Sequence, residues 1–200
     1  MWNALGNAFG RKPQESGHDT VCAMTREISA GGVVVRDIDG VWHIALIEPQ
    51  KEDSRGGESA SEDSQAPKKL RRRSRAVLCL PKGLVDAGER AETAAVREVF
   101  EETGIVAEAT TKLVDIKYVY VRSWGDGQRV FKIVSFYLMK YVSGDIGDIS
   151  PEMRIEVERA LWVPLADANK QMAYSGERKV VLRAREYLAE HGLAERSAAG

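Results

Sequence analysis

The chain has 200 residues, 44% of them hydrophobic, which suits one domain with a sizeable core. Its formal net charge of −1 gives no global sign of a nucleic-acid or acidic-membrane partner. No apolar run is long enough to span a bilayer, and residues 1–20 lack the apolar stretch of a secretory signal, so a cytoplasmic location is expected. Cys22 and Cys79 match no metal motif and are interpreted as two reduced thiols.

The N-terminal part of the chain predicts a tail followed by a hairpin. Residues 1–25 are polar and predict a flexible N-terminal tail. Residues 28–35 (ISAGGVVV) are rich in β-branched side chains and predict a strand. Gly31 and Gly32 within it imply either a bulge or the close approach of another segment to the backbone. Asp39 and Gly40 form a hairpin-turn signal, and residues 41–47 predict the return strand.

Residues 51–75 interrupt this pattern with few apolar side chains, so they cannot bury enough surface to order themselves and predict a disordered insertion. The insertion ends on the basic run LRRRSR, which we interpret as a solvated segment. A contact with phosphate or nucleic acid is the alternative, and the insertion could also act as a flap beside the loop that follows it.

A short buried strand is expected at residues 76–80, and residues 81–83 are expected to turn the chain towards a helix at 91–103. At about 100° per residue, Glu98, Glu101 and Glu102 fall within roughly 100° of one helix face. The opposite face is expected to carry Val96, Val99, Phe100 and Thr103. Like charges at this spacing repel each other. Crowded carboxylate oxygens suit a hard cation such as Mg²⁺ or Mn²⁺.

Beyond the helix, the alternating pattern of residues 112–121 predicts a strand. A turn at 124–128 leads to a long strand at 130–142, and a loop at 143–151 leads to a short strand at 156–163. A helix is expected to begin at residues 164–168, and a second, amphipathic helix is expected at 176–190. Residues 191–200 are expected to form a C-terminal tail. Strands interrupted by two long helices predict one α+β domain over residues 26–190.

The stretch from residue 83 to residue 105 carries a pattern with fixed spacing: Gly, five residues, Glu, seven residues, Arg-Glu-aliphatic-x-Glu-Glu-x-Gly-aliphatic. Nine residues fill every defined position: Gly83, Glu89, Arg97, Glu98, Val99, Glu101, Glu102, Gly104 and Ile105. This stretch resembles the signature of the Nudix hydrolase superfamily. The resemblance implies the Nudix fold, in which a mixed β-sheet is sandwiched between α-helices in an α/β/α arrangement.

The resemblance also implies a metal-dependent pyrophosphohydrolase. Glu98, Glu101 and Glu102 are then expected to bind Mg²⁺ or Mn²⁺ with help from the Gly83 carbonyl, and Arg97 is expected to orient them. The partner of that arginine would be Glu89 or Glu101.

Proton transfer in such a site needs a general base, and the sequence leaves its identity open. Glu101 is one candidate among the metal-binding glutamates. Glu156 stands where some relatives carry a loop glutamate that binds metal or acts as the base. Glu158 competes with it, and either side chain could simply be solvated.

Three residues outside the signature are predicted to bind substrate. Lys82 would contact a terminal phosphate, or else be a solvated turn residue. Lys132 shares a strand face with Val130 and Val134, which is either a cleft or an exposed sheet face. Tyr174 is the candidate for stacking on a base. Two further tyrosines could stack in the same way but are interpreted as core residues: Tyr118 and Tyr120.

The segments that flank the signature bear on the substrate. LPKG, FKIVSFYL and ERALWVPLADANKQMAYSGERKVVLRA look like diadenosine tetraphosphate hydrolases and their relatives, including diphosphoinositol polyphosphate hydrolases. The second hypothesis is a MutT-type enzyme that acts on oxidised nucleoside triphosphates. An ADP-ribose pyrophosphatase and an RNA-decapping enzyme are less favoured, and a nucleotide sensor without activity is the non-enzyme alternative. The expected partner is a small nucleotide or polyphosphate, and a homodimer is left open.

Overall fold

A computed structural model describes residues 24–50, 77–122 and 127–191. The predicted insertion at 51–75, almost all of both predicted tails, most of the predicted 124–128 turn and Cys22 lie outside these ranges, so the interpretations given to them stay predictions.

The described residues form a six-stranded mixed sheet and three α-helices. The strands are β1 (Thr25–Ile38), β2 (Val41–Pro49), β3 (Lys82–Leu84), β4 (Val106–Val121), β5 (Arg129–Ser143) and β6 (Val157–Pro164). The helices are α1 (Ala91–Thr103), α2 (Leu165–Gln171) and α3 (Ser175–Glu190), with a short 3-10 helix at Met153–Ile155. None of the helices in these ranges has the length and apolar character needed to cross a membrane.

Strand β1 is central to the sheet, whose order is β4-β5-β1-β2-β6. It pairs in parallel with β5 along most of its length and antiparallel with β2 and β3. The first part of the strand pairs with β3 through residues 29–31, and the last part pairs with β2 through residues 35–38. One strand therefore holds the loop that precedes α1 against the rest of the sheet.

The paired glycines of β1 mark close approach and not a bulge, because the register of β1 is continuous. The Gly32 N–H donates to the Pro81 carbonyl oxygen at 3.1 Å. A Cβ on Gly31 would overlap that same oxygen, and a Cβ on Gly32 would overlap Val99 of α1. These two positions therefore let the loop and the helix lie directly on the strand.

We expect Gly31→Ala to destabilise the fold, because the backbone carbonyl that it meets cannot move aside without breaking a hydrogen bond. Overpacking of this kind costs about 1–3 kcal/mol, and chemical denaturation would measure it. Gly176→Ala is the control, since its Cβ would touch only the flexible side chain of Ile116 at 3.3 Å. Equal stability of the two variants would contradict the close-approach explanation.

The sheet lies between two helical layers, which confirms the α/β/α arrangement predicted from the sequence. On one face a core cluster joins α1 to the sheet through Val99, Val34 and Met139. On the other face a larger cluster joins α2 and α3 to it through Leu165, Val181 and Phe136. Helix α1 ends at Gly104, whose φ of 77° is the left-handed conformation that favours glycine at a helix C-terminus.

Two boundary predictions were wrong around the loop that precedes α1. The described residues of the predicted strand at 76–80 form only isolated bridges, between Cys79 and Ile47 and between Leu78 and Met172. The predicted turn at 81–83 instead leads directly into β3, which begins at Lys82. The reason is tertiary, because β3 exists only through its pairing with β1.

The predicted division of α1 into an acidic and an apolar face was also wrong in part. Val99 and Thr103 are buried as expected, but Phe100 is 51% exposed. Glu98 and Glu102 are buried beside Val99, on the side of the helix that faces the sheet and β3. The carboxylates therefore point into the protein, where their charge must be compensated.

Candidate active site

Arg97 lies at the centre of the acidic residues. Its Nε donates to Glu89 at 3.1 Å, and its Nη1 donates to Glu98 at 2.8 Å and Glu101 at 3.1 Å. Its Nη2 donates to Glu89 and to the Leu84 carbonyl, both at 2.9 Å. The planar guanidinium thus joins the loop before α1 to two glutamates of the helix, with the multiple-donor geometry that only arginine provides.

Glu98 and Glu102 are only 6% and 5% exposed. Burial raises the pKa of Glu98, although the guanidinium of Arg97 opposes the shift. Burial also raises the pKa of Glu102 to about 8, with the charges of Glu98 and Glu156 adding to it and Lys82 opposing it. Both carboxylates therefore lie where additional positive charge would be stabilising.

The donor set suits a hard divalent cation, since it consists of carboxylate oxygens beside the backbone of Gly83. A Cβ on Gly83 would overlap the Glu98 carboxylate, so glycine lets that side chain lie against β3. No three acidic, histidine or cysteine side chains converge into a ready-made cage within the ranges that the structure describes.

Glu156 follows the 3-10 helix and precedes β6, and its side chain is exposed. Its charge contributes to the raised pKa of Glu102, so the two carboxylates share one electrostatic environment. Glu158 is exposed on β6. The assignment of a general base to Glu101 or Glu156 stays a prediction.

The loop of residues 80–82 connects the carboxylates to helix α3. The Lys82 N–H donates to Glu102 Oε2 at 2.7 Å, while its ammonium pairs with Glu177 at 3.0 Å. Glu177 also accepts the Leu80 N–H at 2.8 Å. Sequence reasoning missed Glu177, which is 97 residues from Leu80 and lies in a helix with ordinary amphipathic spacing.

A cleft of about 960 Å³ opens beside Lys82, between β4 and β5 on one side and the start of α3 on the other. This volume is near the upper end of the roughly 300–1,000 Å³ typical of ligand pockets. Its basic lining residues are Lys82, Lys117, Lys132, Lys179 and Arg183. Its aromatic lining residues are Tyr118, Tyr120, Phe136 and Tyr174. Cations and ring faces in one cleft suit phosphates and bases.

The predicted substrate-binding residues line this one cleft. Lys82 and Lys132 are partly buried, and Tyr174 is 54% exposed at its edge. The interpretation of Tyr118 as a core residue was wrong, because its side chain is 40% exposed in the cleft, with its ring centroid 6.2 Å from that of Tyr120. The period-two pattern places a side chain on a face but does not show whether that face is covered.

A second acidic residue that the sequence did not reveal organises the far end of the cleft. Glu27 of β1 accepts the Tyr120 hydroxyl at 2.9 Å and Arg122 at 2.6 Å, and Lys132 Nζ lies 3.7 Å from it. Burial alone would raise the pKa of Glu27, but the hydrogen bonds from Arg122 and Tyr120 and the charge of Lys132 lower it. Lys132 is thus held between β1 and the cleft.

Comparison with known proteins places this site in a family context. Residues 64–184 match the family model described as the NUDIX domain. The chain is 35% identical over 157 residues to the putative mutator protein MutT4 of Mycobacterium tuberculosis. This match covers 77% of this chain and 52% of that protein. It is also 35% identical over 104 residues to an 8-oxo-(d)GTP phosphatase of Mycolicibacterium smegmatis. This match covers 52% of this chain and 29% of that protein. The chain thus spans about half the length of the first relative and under a third of the second.

Among solved structures, the chain is similar to an Ap4A hydrolase of C. elegans crystallised as a binary complex. The TM-score is 0.55 with 23% sequence identity, and the match covers 82% of this chain and 98% of that chain. At this identity the likeness shows the shared fold alone.

Proposed function

The chain belongs to the Nudix hydrolase family, and on that premise we propose that it hydrolyses a phosphoanhydride bond of a nucleoside polyphosphate, with a dinucleoside polyphosphate such as diadenosine tetraphosphate as the favoured substrate. One observation supports this most directly: Lys82 donates its backbone N–H to the buried Glu102 and also lines the cleft. Lys82 therefore connects the cleft to the buried carboxylates, and we propose that a bound polyphosphate extends from one to the other.

Nudix hydrolases generally use divalent metal ions, and we propose Mg²⁺ or Mn²⁺ here. Glu98, Glu101 and Glu102 would hold the ion with the Gly83 carbonyl. When bound, such an ion neutralises phosphate charge and lowers the pKa of a coordinated water.

The remaining roles fall to the chain's own side chains. Arg97 keeps the glutamates in place, and Glu101 or Glu156 accepts the proton of the attacking water. Lys82 and Lys132 neutralise charge on the phosphates, and Tyr174 stacks on a base. The buried free thiol of Cys79 fits the reducing cytoplasm, where we propose that the domain acts.

The form of the cleft favours a substrate with two bases. Tyr118 and Tyr120 come from β4 and Tyr174 comes from the turn before α3, so aromatic faces belong to two different walls. Each could stack on one base, and lysines line the same cleft. The same cations keep a diphosphoinositol polyphosphate as an alternative.

An oxidised nucleoside triphosphate is the second candidate. The observation that favours it is the 35% identity to the two mycobacterial proteins, one of which is described as an 8-oxo-(d)GTP phosphatase. Because the chain spans only part of each relative, their activities are carried over here as a proposal.

Product analysis tests the proposal. We expect purified protein with Mg²⁺ to convert diadenosine tetraphosphate to ATP and AMP faster than it degrades normal or oxidised triphosphates. EDTA should abolish turnover, and added Mg²⁺ or Mn²⁺ should restore it. Ion-exchange chromatography would resolve the products.

The same panel separates the alternatives. Monophosphate and pyrophosphate from oxidised triphosphates, formed faster than ATP from the dinucleotide, would favour the second candidate. Nucleotide binding without metal-dependent turnover on any substrate would overturn the enzymatic proposal and favour a sensor.

A further inference from the structure

Glu177 is a buried carboxylate outside the Nudix signature. It lies in the first turn of α3 and is only 4% exposed. Both of its oxygens are used: Oε1 lies 3.0 Å from Lys82 Nζ, and Oε2 accepts the Leu80 N–H at 2.8 Å. A carboxylate is rarely buried so fully unless it is paired, so this arrangement calls for a reason.

The loop that Glu177 holds is attached to three different elements. Glu177 of α3 accepts the Leu80 N–H, the Gly32 N–H of β1 donates to the Pro81 carbonyl, and Glu102 of α1 accepts the Lys82 N–H. Pro81 has no N–H of its own to donate. The backbone of the loop is thus anchored at each residue, and what Glu177 adds beyond this is control of the Lys82 side chain.

The position of the Lys82 ammonium matters because it can pair either with Glu177 or with the carboxylates of Glu98 and Glu102. Its charge opposes the raised pKa of Glu102, so the ammonium and that carboxylate interact. An ammonium that moved onto Glu102 or Glu98 would hold the oxygens that a cation needs. Instead it is bound by Glu177 and by the Leu80 carbonyl, which accepts at 3.3 Å, and it faces the cleft.

We propose that Glu177 is a positioning residue that holds the Lys82 ammonium towards the phosphates of a bound substrate and away from the metal-binding carboxylates. This inference rests on the proposed function of those carboxylates. Glu177 and Tyr174 both lie at the start of α3, so the same helix end would position a phosphate-binding group and a base-binding group.

Glu177→Gln separates this role from simple packing. The amide has the same size, and its oxygen can still accept the Leu80 N–H, but it has no charge to pair with Lys82. We expect the dissociation constant for Mn²⁺, measured from the free-ion EPR signal, to rise about tenfold, as losses of supporting groups do at metal sites. We also expect kcat to fall by about 10–100-fold with a smaller change in KM.

A double-mutant cycle tests whether Glu177 acts through Lys82. In a Lys82→Met background, we expect Glu177→Gln to change neither Mn²⁺ affinity nor kcat further. Lys82→Met alone should bind Mn²⁺ at least as tightly as the wild type, because the competing cation is gone. That variant keeps the inference testable if Glu177→Gln folds poorly. Asp167→Asn, a carboxylate-to-amide change on exposed α2, is the control.

The outcomes are distinguishable. Unchanged Mn²⁺ affinity in Glu177→Gln, or equal losses in both backgrounds, would overturn the positioning role and leave only support of the Leu80 N–H. Weaker Mn²⁺ binding by Lys82→Met would also overturn it. If the wild type binds Mn²⁺ but turns over no substrate on the panel, the proposed function fails, while the EPR comparison still decides the role of Glu177.

Discussion

A Glu102→Gln variant is expected to lose at least about 100-fold in kcat/KM while remaining folded. The magnitude follows from the 10–100-fold typical of groups that merely support a metal ligand, because a ligand itself should cost the upper end or more. The amide keeps the size of the side chain and can still accept the Lys82 N–H. It removes the charge and replaces one acceptor oxygen with an NH2 donor. Steady-state kinetics with saturating Mg²⁺ would measure the loss.

Glu102→Gln should lower kcat/KM but should not lower the stability of the fold. Burial of the Glu102 carboxylate is unfavourable without a cation, so in metal-free buffer the Gln variant should unfold at the same or a higher denaturant concentration than the wild type. Glu92→Gln is the matched control, since Glu92 is an exposed residue in the first turn of α1. A variant with nearly normal kcat/KM would show that Glu102 is structural and that the metal assignment is wrong.

Arg97→Lys is expected to reduce kcat/KM by about 10–100-fold, although it conserves the charge. One ammonium cannot reproduce the planar set of donors that reaches Glu89, Glu98 and Glu101 together. The glutamates would lose their fixed orientation. The variant should also have a lower melting temperature, which differential scanning calorimetry would measure against Arg90→Lys, a change at an exposed residue with only a 3.8 Å ion pair.

The stability loss in Arg97→Lys should depend on pH with a predictable sign. Hydrogen bonds from Arg97 and from the Asp86 N–H lower the pKa of Glu89 in the folded protein. Such a group stabilises the fold above its ordinary pKa, and this contribution disappears as pH falls through the lowered value. The difference in melting temperature should therefore be largest near neutral pH and shrink in acid. A constant difference would mean that Arg97 stabilises the fold through packing instead.

The sequence predicted best what is encoded locally. Helix α1 and its closing Gly104 follow from spacing within 23 residues, and the nine-position signature pointed directly to the family that the comparison then showed. Gly31 and Gly32 indicated either a bulge or close approach, because glycine in a strand needs an explanation, and only the fold decided between the two.

What the sequence did not predict depends on residues that are far apart along the chain. Glu27 meets Arg122 across 95 positions, and Glu177 meets Leu80 across 97. Neither glutamate belongs to a local pattern, so only the fold reveals it. The exposure of Phe100 was missed for a related reason: helix periodicity places a side chain on a face, but the sheet decides which face is covered.

The central place of β1 has a consequence for how the chain reaches its native state. Its hairpin partner β2 follows within a few residues, but its parallel partner β5 begins only at Arg129, about a hundred positions later. Contacts between segments so distant are slow to form, because much chain entropy is lost before they contribute. Until β5 is available, one edge of the nascent hairpin exposes unpaired backbone groups that invite association with other chains. The folding rate of this domain should therefore be limited by the pairing of β5 with β1.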